Sequence, residues 1–143
     1  MHWRIPIEGF SYASFRYSAD NEQALVDTGS SYIGVPASVM SEIARITGAK
    51  FNSKLDVYVV PCSRMWTLPN LVFQLNNIQY TIPSAQYIID MDLGDKCALT
   101  FYSMKYDKFL GISWILGAPF IRTFCTIFDY GERRIGFAVA IPR

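Results

Sequence analysis

Histidine is nearly missing from this chain: its 143 residues hold one, His2, beside the terminus. A nucleophilic serine or cysteine mechanism needs an imidazole held through both ring nitrogens, and a terminal histidine is poorly placed for that. Zinc is excluded on similar grounds, because no set of His and Cys ligands stands at a suitable spacing. Phosphate-cradling glycine loops are absent. Thirteen basic residues nearly balance twelve acidic ones, and the Lys and Arg are scattered, so nothing points to nucleic acid or an anionic membrane. The longest apolar run, Ile112 to Ile121, is interrupted by Ser, Gly and Pro and is too short to span a bilayer. Asp90, Asp92 and Asp95 hint at calcium, but Met91 and Leu93 intervene and no bidentate acid follows at the right distance. They read as an acidic loop. Neither metal nor cofactor is expected, and carboxylate chemistry is what remains.

The carboxylate that stands out is Asp27, at the end of the apolar run Ala24-Leu25-Val26 and directly before Thr28-Gly29-Ser30-Ser31. An acid there costs folding free energy unless it is hydrogen-bonded or paired. Two hydroxyls and a glycine that lets amides turn back can supply those bonds. An ordinary Asx-type turn at a strand end explains the same residues. Ten Phe, nine Tyr and many β-branched residues favour sheet over helix. Strands are expected at Trp3 to Ile7, Tyr12 to Tyr17, Ala24 to Asp27, Val57 to Val60, Leu71 to Leu75 and Ile78 to Ile82, the last two joined by an Asn76-Asn77 hairpin turn. Cys125 to Asp129 and Arg134 to Val139 form a second hairpin pair. One clear helix opens at Pro36 with Val39, Met40, Ile43 and Ile46 on one face, and Gly48 ends it; Ala118 to Thr123 looks helical as well. Of three cysteines, Cys125 lies in an apolar segment and is expected as a buried free thiol. Cys62 and Cys97 adjoin polar residues, but spacing alone leaves their pairing open. Met1 to Arg4 shows no signal-peptide pattern, so targeting information is expected upstream.

Several motifs acquire meaning from their order. Asp27-Thr28-Gly29-Ser30 and its following helix come first. Cys62-Ser63, Leu68-Pro69-Asn70-Leu71-Val72-Phe73 and Cys97 come next, then Trp114-Ile115-Leu116-Gly117, and last Thr126 to Asp129 with Arg134 to Ala138. This series resembles the C-terminal lobe of pepsin-like aspartic proteases, the pepsin, cathepsin D and plasmepsin family, over nearly the whole chain. The resemblance implies a mostly-β fold: one lobe of the pepsin-like double-psi β-barrel with one or two short helices, residues 1–143 forming a single domain. It makes Asp27 one of two catalytic aspartates, with Thr28 and Gly29 completing the loop around it. Gly29, Ser30 and Ser31 would meet substrate, Ser30 through its hydroxyl, while Leu25 and Ile115 would line primed-side pockets. Leu116 and Gly117 would continue the strand that threads under the loop. The resemblance also pairs Cys62 with Cys97, as befits a secreted, lysosomal or vacuolar protein.

Three departures matter. Ala118 stands where the family commonly has Asp. Ser18 to Gln23 lacks the cysteines of a short disulfide often found before the catalytic loop. Only one Asp-Thr-Gly is present, whereas the family's site takes one aspartate from each of two lobes. The chain is therefore expected to be half of a bilobal endopeptidase acting on protein or peptide substrates. It would need an N-terminal lobe as partner, and alone it would be inactive and prone to self-association through the uncovered face. Two alternatives are a catalytically silent binding module of the same fold, and a homodimer in which two copies of Asp27 meet as in retroviral-type proteases.

Overall fold

The computed structural model describes residues 3–140; Met1, His2 and the last three positions lie outside them. Its backbone is mostly strand. β1 (Arg4–Tyr12) and β2 (Phe15–Val26) pair antiparallel along almost their whole length. The turn between them, with Ala13 at φ 54°, cuts through the continuous strand expected over Tyr12 to Tyr17. Alternation across a tight turn imitates alternation along one strand, so the sequence signal was ambiguous there. Beyond the turn, β2 runs unbroken to Val26, much longer than the approach to Asp27 read from Ala24 onward.

β3 (Ile33–Pro36) leads into α1 (Ala37–Thr47), which buries Val39, Met40 and Ile43 and ends at Gly48 in the left-handed region. A small sheet follows, built from β4 (Lys50–Asn52), β5 (Val57–Pro61), β8 (Ile88–Leu93) and β9 (Lys96–Leu99) in the order β4-β5-β9-β8. Between its halves, β6 (Leu71–Leu75) and β7 (Ile78–Ile82) form a hairpin whose turn residues Asn76 and Asn77 both have positive φ, as expected. A four-residue α2 (Ser84–Tyr87), not anticipated from sequence, precedes β8. β10 (Phe101–Met104) and β11 (Trp114–Leu116) then complete the main seven-stranded sheet, ordered β10-β3-β11-β2-β1-β6-β7. α3 (Ala118–Thr123) leads into the closing hairpin of β12 (Phe124–Asp129) and β13 (Arg134–Val139), which forms a separate two-stranded sheet. Among the described residues there are thus three α-helices where one or two short ones were expected.

One connected core joins these layers, with Tyr12, Phe73, Tyr87, Phe101, Trp114 and Phe120 buried in it. The Trp114 ring lies 5.6 Å from Phe10, 5.7 Å from Tyr17 and 6.0 Å from Phe73, so β11 is fastened to β1, β2 and β6 by aromatic contacts. Tyr12 and Tyr87 share a 2.8 Å hydroxyl contact, and Tyr87 donates to the Pro69 carbonyl, so neither phenol is buried unpaired. Cys62 and Cys97 form a disulfide tying the turn after β5 to β9. Cys125 is exposed, contrary to the buried thiol expected. β12 belongs to a two-stranded sheet, and Cys125 falls on the side of it that faces away from the core.

Candidate active site

β2 delivers Asp27 to the surface because its preceding residues are gripped on both sides. The Val26 amide donates to the Trp3 carbonyl at 2.8 Å, and the Asp27 amide donates to the Leu116 carbonyl at 3.1 Å. Beyond Asp27 the chain turns at once. The Gly29 amide donates to Asp27 Oδ1 at 2.9 Å, and the Ser30 amide donates to the Asp27 carbonyl at 3.2 Å. A charge-assisted bond from a backbone amide both satisfies the carboxylate and holds its orientation. A Cβ on Gly29 would stand 3.3 Å from that same oxygen, so the glycine keeps the carboxylate's flank open.

Beneath the loop, β11 inserts between β2 and β3. It runs parallel to β2, with Ile115 opposite Leu25 and Leu116 opposite Val26, and antiparallel to β3, with Ile115 opposite Gly34. This is the psi-shaped crossing expected of Ile115-Leu116-Gly117. At its end the Ala118 amide donates to the Ser30 carbonyl at 2.8 Å. Gly117 has no room for a side chain: a Cβ would lie 2.6 Å from the Ser30 carbonyl oxygen and closer still to that of Tyr32. The glycine is what lets the strand end pass directly under the loop. The Ser30 hydroxyl donates to the Tyr32 carbonyl at 3.0 Å, closing the turn.

Upstream, where the short disulfide is missing, Glu22 ties β2 to the segment entering β11. Its carboxylate accepts from Ser113 Oγ at 2.8 Å, from Trp114 Nε1 at 3.0 Å and from the Tyr17 hydroxyl at 2.8 Å. Burial, then the Glu22 hydrogen bond and charge, pushes the Tyr17 phenol up to about 12. Nothing in the sequence flagged Glu22, because its partners lie five residues away on one side and more than ninety on the other.

The structure brings Leu25, Asp27 and Thr28 to one open cavity of about 380 Å³, whose other walls are Trp3, Val26, Phe128 and Tyr130. Thr28, Gly29 and Ser31 are exposed, and Asp27 and Ser30 are half-buried. Ile115 is half-buried one strand over. Two aromatics near the loop escaped sequence reading. Tyr102 is the register partner of Gly34, and its phenol covers that glycine, where an added Cβ would come within 2.8 Å of it. Burial raises the Tyr102 pKa, a hydrogen bond from the Ser30 side opposes this, and the Asp27 charge adds to the rise. Tyr32, the other, follows the loop directly. Only the parallel pairing of β10 with β3 brings Tyr102 to this place, some seventy residues after the loop in sequence.

A carboxylate presented on a turn of amides, over a crossing strand that ends in an obligatory glycine, defines a class of fold and site. The eukaryotic aspartyl protease family matches residues 1–140, and the chain belongs to that family. Among its relatives, aspartic protease 1 of Caenorhabditis elegans is 38% identical over 99% of this chain and 36% of its own length. Pepsin-3 of Oryctolagus cuniculus is 39% identical over 97% of this chain and 35% of its own. Renin of Ovis aries is 39% identical over 96% and 35% respectively. The chain spans about a third of the length of these relatives.

Proposed function

We propose that this chain is the C-terminal lobe of a bilobal aspartic endopeptidase and that Asp27 is one of its two catalytic aspartates. The observation that carries the reading is the setting of Asp27. It is half-buried, held by the Gly29 amide, anchored to Leu116 and open to a cavity. An N-terminal lobe would bring a second aspartate to about 3 Å, close enough that the pair shares one proton. The ionised member takes a proton from water, and the resulting hydroxide forms a bond to the scissile carbonyl carbon while the protonated member hydrogen-bonds the carbonyl oxygen. Collapse of the tetrahedral intermediate breaks the C–N bond and passes a proton to the leaving amine. In this reading Gly29, Ser30 and Ser31 meet an extended peptide, and Leu25 and Ile115 line primed-side pockets. Thr28, Leu116 and Gly117 hold the loop. Residues 1–143 act as one domain in this reading, and the Cys62–Cys97 bridge supports a secreted, lysosomal or vacuolar lumen.

The test is cleavage of an unfolded protein at acidic pH by this chain expressed with its N-terminal lobe. Activity should be abolished by pepstatin and should fall roughly a thousandfold in Asp27→Asn, with the fold intact by circular dichroism. The chain alone should turn over nothing measurable. Unchanged activity in Asp27→Asn would remove the catalytic assignment. Pepstatin-sensitive turnover by the chain alone, rising with its dimerisation, would favour the homodimer instead.

A further inference from the structure

A second cavity, of about 410 Å³, has Tyr32, the residue directly after the loop, in its wall. Tyr32, Phe51, Tyr58 and Tyr102 wall it, buried Phe101 lies at its base, and Asp56 lines it as well. We propose that this aromatic cavity binds a lysine or arginine side chain of the peptide substrate, an inference that rests on the endopeptidase reading above.

Three observations point to a cation. First, the walls are ring faces and edges: Phe51 and Tyr58 pack at 5.1 Å between centroids while Phe51 stays half exposed. Such faces attract an ammonium or guanidinium more than a neutral group. Second, Asp56 makes no ion pair among the described residues. Lys50 and Lys54 share its hairpin, yet neither bridges it, and the ion pairs among the described residues are Arg45–Glu42 and Arg134–Asp129. Third, none of the residues lining the cavity is basic, so its one charged wall residue is an acid.

The cavity also belongs to the substrate path. Tyr32 follows the loop directly, its backbone carbonyl accepting from the Ser30 hydroxyl, and the Tyr102 ring lies over Gly34, two residues further along. A side chain lodged here therefore comes from a residue a few positions along an extended peptide from the bond above Asp27. An acidic residue at that position is repelled, and a neutral aliphatic one leaves Asp56 unpaired.

The experiment uses the chain expressed with its N-terminal lobe and matched peptides bearing Lys, Arg, norleucine or Glu at each of the four positions on either side of the cut. One position should favour Lys and Arg over norleucine by roughly tenfold in kcat/KM, the scale of a cation–π contact supported by one carboxylate. That preference should vanish in Asp56→Asn, which keeps the left-handed backbone that Asp56 adopts at φ 56°. It should shrink in Tyr58→Leu, the readout in both variants being the ratio of Lys to norleucine kcat/KM. A basic preference nowhere, or one indifferent to Asp56, overturns the proposal. If no peptide is cut, the endopeptidase reading fails separately. The pocket is then judged by NMR of tyrosine-labelled protein titrated with the Lys and norleucine peptides. Shifts of the Tyr32 and Tyr58 signals with Lys alone uphold it, and equal or absent shifts overturn it.

Discussion

Gly117 is the residue at which the whole site can be broken without touching a polar group. Its missing side chain is all that separates β11 from the carbonyls of Ser30 and Tyr32, so an alanine must move backbone. Neither side can yield easily, because Leu116 is bonded to Asp27 and Ala118 to Ser30. Gly117→Ala is expected to cost about 3 kcal/mol, the upper end of the usual range for overpacking, and to lower the midpoint of urea unfolding accordingly. Gly136→Ala, whose Cβ would meet nothing closer than 3.8 Å, should change stability by less than about 1 kcal/mol. Equal midpoints for the two variants would show that the loop tolerates a wider crossing than the geometry implies. At this scale the turn at Asp27-Thr28-Gly29 and the close approach at Gly117 were legible, since a polar turn after an apolar run and a glycine ending one are local patterns. Glu22 and Tyr102 were not legible. Each acts through partners that only the sheet brings near.

Among the elements, the small sheet β4-β5-β9-β8 depends most on one covalent link. The Cys62–Cys97 bridge closes a separation of 35 residues, and Cys97 is fully buried in the core. Chain-entropy reasoning puts its contribution at about 4 kcal/mol. The double variant Cys62→Ala, Cys97→Ala should therefore lose most of that amount in denaturant unfolding, and reductant should destabilise the wild type but not the variant. A loss below about 1 kcal/mol would mean that the unfolded chain is already restrained there. The hairpins β6–β7 and β12–β13 were readable because their turns carry asparagines or a glycine between alternating strands. The β1–β2 hairpin was not, for its turn is Ala13-Ser14, residues with no turn signature. The brief α2 was hidden likewise: four residues are too few for a periodicity to declare itself.

Seen as a whole, the molecule leaves apolar groups in water that a domain of this size ordinarily covers. Ile127, Tyr130 and Val139 on the closing hairpin are all more than half exposed, and that hairpin forms a sheet of only two strands. Such a face suits a covering partner, here the proposed N-terminal lobe. The chain expressed alone is expected to self-associate in sedimentation equilibrium. The pair Ile127→Ser and Val139→Ser should weaken that association at least tenfold, whereas Phe109→Ser, on a different exposed loop, should leave it unchanged. The reverse pattern would move the contact surface to the loop before β11.

Local chemistry settled the class of this protein before any coordinates: alternation made it β-rich, and the order of its short motifs allied it with the aspartyl proteases. Those features need only neighbours in the chain, so the sequence carries them directly. The three-body meeting of β2, β11 and β3 beneath Asp27, the Glu22 clamp, and the aromatic cavity with its unpaired Asp56 were decided by tertiary structure alone. Each joins residues many tens of positions apart, and such contacts form only when sheet pairing repays the entropy of closing the intervening chain.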